Sequence, residues 1–238
     1  ALDLDAVAFT LVKVSQIVCD FAEIQTLDIN PLLAGSSGVL TLNAHVGITA
    51  ATASAADRLA VRPYPKELEE EVRLPDGTAM LLRPIRPEDE PAYLEVFAGL
   101  SPEAIRYRFL HPMKVLPHSQ AARLTQIDYD REMAFVLAGR SPDERPLLYG
   151  SVRMVSDPDR ESAEFAVLLR GDMTGLGLGP MLMQRIIDYA RSQGIRRLHG
   201  DVLADNRPML QICRALGFKQ KRDTDDPGVV KMTLVLEP

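Results

Sequence analysis

Three glycines at alternate positions, Gly175-Leu176-Gly177-Leu178-Gly179, followed at once by Pro180, constrain this chain more than any other stretch. Before them lies a strand-like stretch, Glu164–Leu169, apolar at every position but the first, and after them Pro180–Gln193 repeats apolar residues at helical spacing and stops at Gly194. The order strand, glycine loop, helix predicts a layered α/β arrangement. Such glycines let backbone N–H groups converge at a helix N-terminus, where unpaired donors and the macrodipole favour phosphate. Pro180 in the first turn has no N–H to leave unpaired. The stretch also reads as a tight turn whose glycines serve packing alone. Two phosphate loops are excluded by spacing. A P-loop ends in Gly-Lys-Ser/Thr, and Gly179-Pro180-Met181 has neither lysine nor hydroxyl. A dinucleotide fingerprint needs Gly-x-Gly-x-x-Gly, whereas the third glycine here comes one residue early, although Asp201 lies about twenty residues on.

The flanking pattern supplies the rest of the fold class. An amphipathic helix is predicted over Ala6–Val18, then strands Ile24–Ile29 and Gly38–Leu42, then a linker in 48–72 that contains Arg62-Pro-Tyr-Pro65 and the acidic run Glu67–Glu71. Asp76-Gly77 predicts a hairpin turn into strand Ala79–Arg83. Helices follow from Pro87 to Leu100 and over Pro102–Phe109. Strands Ala134–Ala138 and Leu147–Val155 flank a Ser141-Pro-Asp-Glu turn. After the glycine loop come strand Arg197–Leu203, helix Arg207–Leu216 stopped by Gly217, and strand Val229–Leu236. This order implies an α/β (α+β) class with a mixed central sheet and helices on both faces.

Composition narrows the function classes. The chain has 238 residues, 46% of them hydrophobic, enough for one large domain or two small ones with a real core. Its net charge of −6 argues against a general nucleic-acid binder. Residues 1–55 hold five acids (Asp3, Asp5, Asp20, Glu23, Asp28) and one base, Lys13, so most of the excess lies in the first quarter. Two cysteines, Cys19 and Cys213, make neither a disulfide framework nor a zinc motif; a reducing cytoplasm and no metal are expected. The run Ala6–Val18 is broken by Lys13, Ser15 and Gln16 and is too short to span a bilayer, so no membrane partner is expected.

The glycine stretch resembles the GNAT acetyltransferase superfamily, whose signature Gln/Arg-x-x-Gly-x-Gly/Ala falls on Thr174-Gly-Leu-Gly177-Leu-Gly179. A second block, Val202-Leu-Ala-Asp-Asn206 and then Cys213-Arg-Ala-Leu-Gly217-Phe218, matches the superfamily's strand–Asn–helix–Gly-Phe ending. The resemblance implies the GNAT fold over 73–238 and acetyl-CoA as acyl donor. It places the pyrophosphate on the backbone of Thr174, Gly175, Leu176, Gly177, Leu178, Gly179 and Pro180. Asn206 would tie loop backbone or the pantetheine amide. Thr174 stands where Gln or Arg is usual and Leu176 where a base is common, which leaves the phosphate to backbone dipoles. Cys213 occupies the position of a Tyr that protonates the leaving thiolate; Cys213, water or no acid would serve here.

Transfer to an amine needs a general base, because a free lysine has a pKa of about 10.4. Glu164 is the candidate, set among apolar neighbours of the kind that tune a base, and the resemblance places the base of protein acetyltransferases in this same strand; it also reads as a plain carboxylate pointing to solvent on an edge. Alternation puts Glu164, Ala166 and Leu168 on one face and Phe165, Val167 and Leu169 on the other. Backbone at Val167–Leu169 would lie along the acyl-pantetheine arm and offer an N–H to the carbonyl oxygen. Asp201 is the second acidic candidate, for orienting water or receiving the lysine, or for a plain ion pair. His199 reads as a half-buried packing residue. His111 and His118 receive no role, and Arg106 and Arg108 read as a solvated helix face or an acceptor contact.

Asp28-Ile-Asn30-Pro31-Leu32 with Gly38-Val-Leu-Thr-Leu-Asn43-Ala-His45 resembles the end of an ATP-grasp domain of NDP-forming acyl-CoA synthetases. Asp28 and Asn30 match that family's metal-ligand pair, while Asn43 and His45 replace its Asp and Arg. The expected layout is an ATP-grasp fragment over 1–50, a linker over 51–72 and the acetyltransferase over 73–238. That layout is similar to the Pat-type bacterial protein lysine acetyltransferases, which implies an acyl-CoA synthetase lysine as acceptor. The alternatives are a small-molecule amine acetyltransferase and a non-catalytic acetyl-CoA sensor.

Overall fold

The computed structural model describes residues 2–52, 58–74, 77–140, 143, 145–222 and 226–236. Two units, Ala1–Pro63 and Tyr64–Pro238, are each compact. Parts of three expected features, Asp76 of the hairpin turn, Ser141, Pro142 and Glu144 of the second turn, and 53–57 of the linker, lie outside the described residues.

In the first unit, helix α1 (Leu4–Asp20) starts where Asp3 Oδ1 accepts the N–H of Ala6 at 2.9 Å. It runs past both ends of the stretch expected from periodicity. Strand β1 (Ile24–Ile29) is followed by the hairpin β2 (Leu32–Gly35) and β3 (Gly38–Thr41), and β4 (Ala44–Ile48) returns antiparallel to β1.

The second unit carries β5 (Glu70–Arg73), β6 (Ala79–Pro84), α2 (Glu90–Ala98), α3 (Pro102–Phe109), α4 (His118–Thr125), β7 (Glu132–Arg140), β8 (Pro146–Ser156) and β9 (Ser162–Leu169). It continues with α5 (Leu178–Ser192), β10 (Arg197–Leu203), α6 (Arg207–Ala215), β11 (Lys219–Arg222) and β12 (Val229–Val235). One sheet holds the eight strands in the order β11-β12-β10-β9-β8-β7-β6-β5. Every neighbouring pair is antiparallel except β9 and β10. Strand β5 takes in residues 70–72, expected as the end of the linker, and forms one edge of the sheet.

Each face of the sheet has its own core. Helix α5 buries Leu178, Leu182, Met183, Ile186, Ile187 and Ala190, an unbroken helical stripe, against Phe135, Val152, Phe165 and Met232. Helices α2, α3 and α4 cover the other face with Tyr93, Phe97, Ile105 and Ala121 over Ala134, Val136 and Leu168. The predicted starts and stops have local causes. Gly194 at φ +73° lets the N–H of Ile195 reach Ala190 O, and Gly217 at φ +86° lets Phe218 reach Cys213 O, so α5 and α6 end in Schellman turns. Entry to α2 is fixed by a buried ion pair: Arg83 donates to both oxygens of Asp89 at 2.7 Å, and Asp89 also accepts the N–H of Arg86 at 2.8 Å. His118, read as a partnerless loop residue, opens α4 and pairs with Glu90.

Candidate active site

Strands β9 and β10 share only three rungs, Ser162–Arg197, Ala163–Leu198 and Glu164–His199. Both continue without each other. β9 stays paired to β8 as far as Leu169–Gly150, and β10 stays paired to β12 as far as Leu203–Val229. The sheet therefore forks after Glu164 and His199, and backbone groups of Ala166–Leu169 on the β10 side have no strand partner. Phe165 sits at the fork, its ring edge-on to Phe218 at 5.2 Å. A Cβ on Gly200 would lie 2.8 Å from Cε1 of Phe165, so the facing position on β10 accepts only glycine without a shift of that ring.

Side chains alternate as the sequence predicts: Phe165, Val167 and Leu169 pack towards α5, and Leu168 also reaches the α2–α4 face. Two details correct the sequence reading. Glu164 is exposed rather than enclosed by apolar neighbours. His199 is exposed too, as the rung partner of Glu164, and is not a packing residue. Asp201 lies two residues further on the same side of β10, exposed and opposite Lys231. The fork thus gathers Glu164, His199 and Asp201 on one side.

After β9, Arg170 grips Asp172 with two hydrogen bonds (3.0 and 2.7 Å) and lies over the ring of Tyr149. A cavity of about 380 Å³ opens beside Arg170, Gly171 and Asp172, against Glu95 and Val96 of α2. A short 3-10 turn, Gly171–Met173, follows, and Thr174 Oγ1 donates to Gly171 O at 2.7 Å. Gly175 and Gly177 adopt φ +80° and +79°, with open space where a Cβ would stand. Helix α5 starts at Leu178, two residues earlier than expected, so Leu178 and Gly179 present N–H groups that have no helical acceptor. Pro180, third in the helix, adds no donor. The turn, the unpaired amides and the open space fit a diphosphate, and the half-open β9 edge fits an amide-bearing arm.

Asn206 caps α6, its Oδ1 accepting the N–H of Met209 at 3.2 Å. Cys213 is fully buried in the α5-side core, and burial pushes its thiol up to about 12. With no exposed atom, the side chain packs among core residues beneath the sheet. The sequence also missed a tie across the fork. Arg106 of α3 pairs with Asp205 in the loop after β10, and Tyr107 Oη lies 2.9 Å from Glu103 Oε1 and 3.3 Å from Asp205 O. Only the 99-residue separation hid this contact.

A known family accounts for this combination of forked sheet and glycine turn. The profile of the GNAT acetyltransferase domain matches residues 79–219. The chain belongs to the GNAT acetyltransferase family. An ATP-grasp domain profile matches residues 1–48. Acetyltransferase PA5475 of Pseudomonas aeruginosa is 36% identical over 163 residues, 68% of this chain and 87% of that protein. The GNAT domain of S. lividans PAT superposes with a TM-score of 0.65 at 27% identity, over 73% of this chain and all of that one. Spermidine N-acetyltransferase from Vibrio cholerae, in complex with CoA and spermine, shares the fold (TM-score 0.51, 18% identity, 66% of this chain and 95% of that one). As a GNAT enzyme, the protein is an acetyltransferase that takes its acyl group from acetyl-CoA.

Proposed function

We propose that this GNAT enzyme acetylates a lysine side chain of a protein, an acyl-CoA synthetase, in the cytoplasm, with Glu164 as general base. The observation that carries this reading is the exposed Glu164 on the last rung of the fork, open to a macromolecular acceptor. Similarity to the GNAT domain of S. lividans PAT over its full length supports it, as does the ATP-grasp match ahead of the catalytic domain.

Acetyl-CoA supplies an activated thioester carbonyl. The residues of this chain do the rest. Gly175–Gly179 amides hold the diphosphate, and the unpaired backbone of Val167–Leu169 holds the arm and donates an N–H to the carbonyl oxygen as charge grows there. Asp201 receives the lysine ammonium, and Glu164 takes its proton so that the neutral amine attacks. Asn206 keeps the start of α6 in place. Cys213 is buried, so the adduct expels CoA as thiolate and the second N–H proton of the attacking nitrogen passes through water to that thiolate, leaving the amide.

Glu164→Gln should lower kcat by about 10²–10⁴-fold, the usual worth of a general base. Acetyl-CoA affinity measured by calorimetry should stay unchanged. Intact mass of a panel of acyl-CoA synthetases incubated with enzyme and acetyl-CoA reads the acceptor; full turnover by the variant removes Glu164 from the mechanism. A second reading, a small amine as acceptor, is favoured by 35% identity over 60 residues to L-methionine sulfoximine/L-methionine sulfone acetyltransferases. Acetylation of such amines and of no synthetase would select it.

A further inference from the structure

The β10–β12–β11 end of the sheet has one closed face and one open face. Leu198, Val202, Met232 and Leu234 point into the α5-side core, and Gln220 of β11 meets Arg214 of α6 at 2.8 Å. Register puts on the other side Arg197, His199, Asp201 and Leu203 of β10, Val229, Lys231, Thr233 and Val235 of β12, and Lys219 and Lys221 of β11. All are exposed except Thr233, which is half-buried, and Leu203 and Val229, which are buried at the end next to the loop after β10. The core under α2, α3 and α4 includes no residue of these three strands.

The face is basic in an acidic protein. Four lysines and arginines stand there against one acid, Asp201, in a chain of net charge −6. It begins at the Glu164–His199 rung, so anything seated on it reaches the reacting position without a gap. It has no Phe, Tyr or Trp on which a base could stack, and Asp201 lies in its middle, which disfavours a nucleic acid. We infer that this open face docks an acidic protein surface flanking the acceptor lysine. Its cations steer and orient the acceptor, and Glu164 at its border takes the proton. The inference rests on the protein-lysine reading and deepens it.

The test compares two synthetic peptides, each with one lysine, flanked in one by Asp and Glu and in the other by Arg. The wild-type enzyme should show kcat/KM about tenfold or more higher for the acidic peptide, with the difference shrinking at high salt. Lys219→Glu/Lys221→Glu should erase or reverse the preference while the KM for acetyl-CoA stays unchanged, and Lys219→Arg/Lys221→Arg should keep it. Equal use of both peptides by the wild type, or a preference that survives charge reversal, overturns the inference. So does a wild-type dimer, or tight binding of a single-stranded RNA, that charge reversal abolishes, since the face then serves a second copy or a nucleic acid. If neither peptide is acetylated while spermidine is, the protein-lysine reading itself fails and takes this inference with it.

Discussion

Each loop glycine is needed for a different reason. Gly175 and Gly177 stand in left-handed backbone with free space around them, so conformation alone demands glycine. At Gly179 the constraint is contact, because a Cβ there would lie 3.0 Å from Cδ1 of Ile212 on α6. Gly177→Ala should therefore cost about 1–2 kcal/mol of local strain and weaken acetyl-CoA binding, with Gly177→Asn milder because Asn tolerates that region. Calorimetry with CoA checks the order. The spacing of the glycines was legible in the sequence, but which one serves the turn and which the helix contact was not, since Ile212 is 33 positions away. The same holds for Glu164. Alternation assigns it a face, yet what covers that face depends on helices elsewhere in the chain.

Elements with strong local signals emerged at or near their predicted bounds. Helix α3 has a serine cap and proline at its start, with Ser101 Oγ accepting the N–H of Ala104, and α6 has Asn206 and Gly217 at its two ends. Strand β11, Lys-Gln-Lys-Arg, has no apolar alternation at all and exists through pairing with β12. Likewise β5 is acidic and is held by β6, and α4 begins with His118 after a proline-rich approach that reads as loop. Tertiary pairing overrides propensity in all three. Arg83 and Asp89 show the reverse dependence, a long-range element fixed by one pair. Both are nearly buried, with 10% and 7% of their side chains exposed. Asp89→Ala should cost about 3–5 kcal/mol, because it strands the Arg83 guanidinium in the core and frees the Arg86 N–H. Urea denaturation would measure this, and a loss below ~1 kcal/mol would mean that solvent reaches Arg83.

At the scale of the whole molecule, net acidity proves a poor guide to any one surface. The first quarter carries most of the net negative charge because it holds a single base against five acids, while a basic sheet face lies beside Glu164 in the second unit. The fork has a consequence for folding as well as for catalysis. A central strand ordinarily spends its amides on both neighbours, whereas β9 leaves one flank to water over Ala166–Leu169. Folding thus leaves the sheet one strand short at its middle, and a ligand with its own amides can supply the missing ladder. Stability and donor binding should then be linked. CoA at 100 times its dissociation constant adds about 2.7 kcal/mol and should raise the melting temperature by about 5–10 °C, as scanning calorimetry would show. An enzyme of this design is stiffest when charged with its donor, so the acetyl-CoA pool sets its lifetime along with its rate.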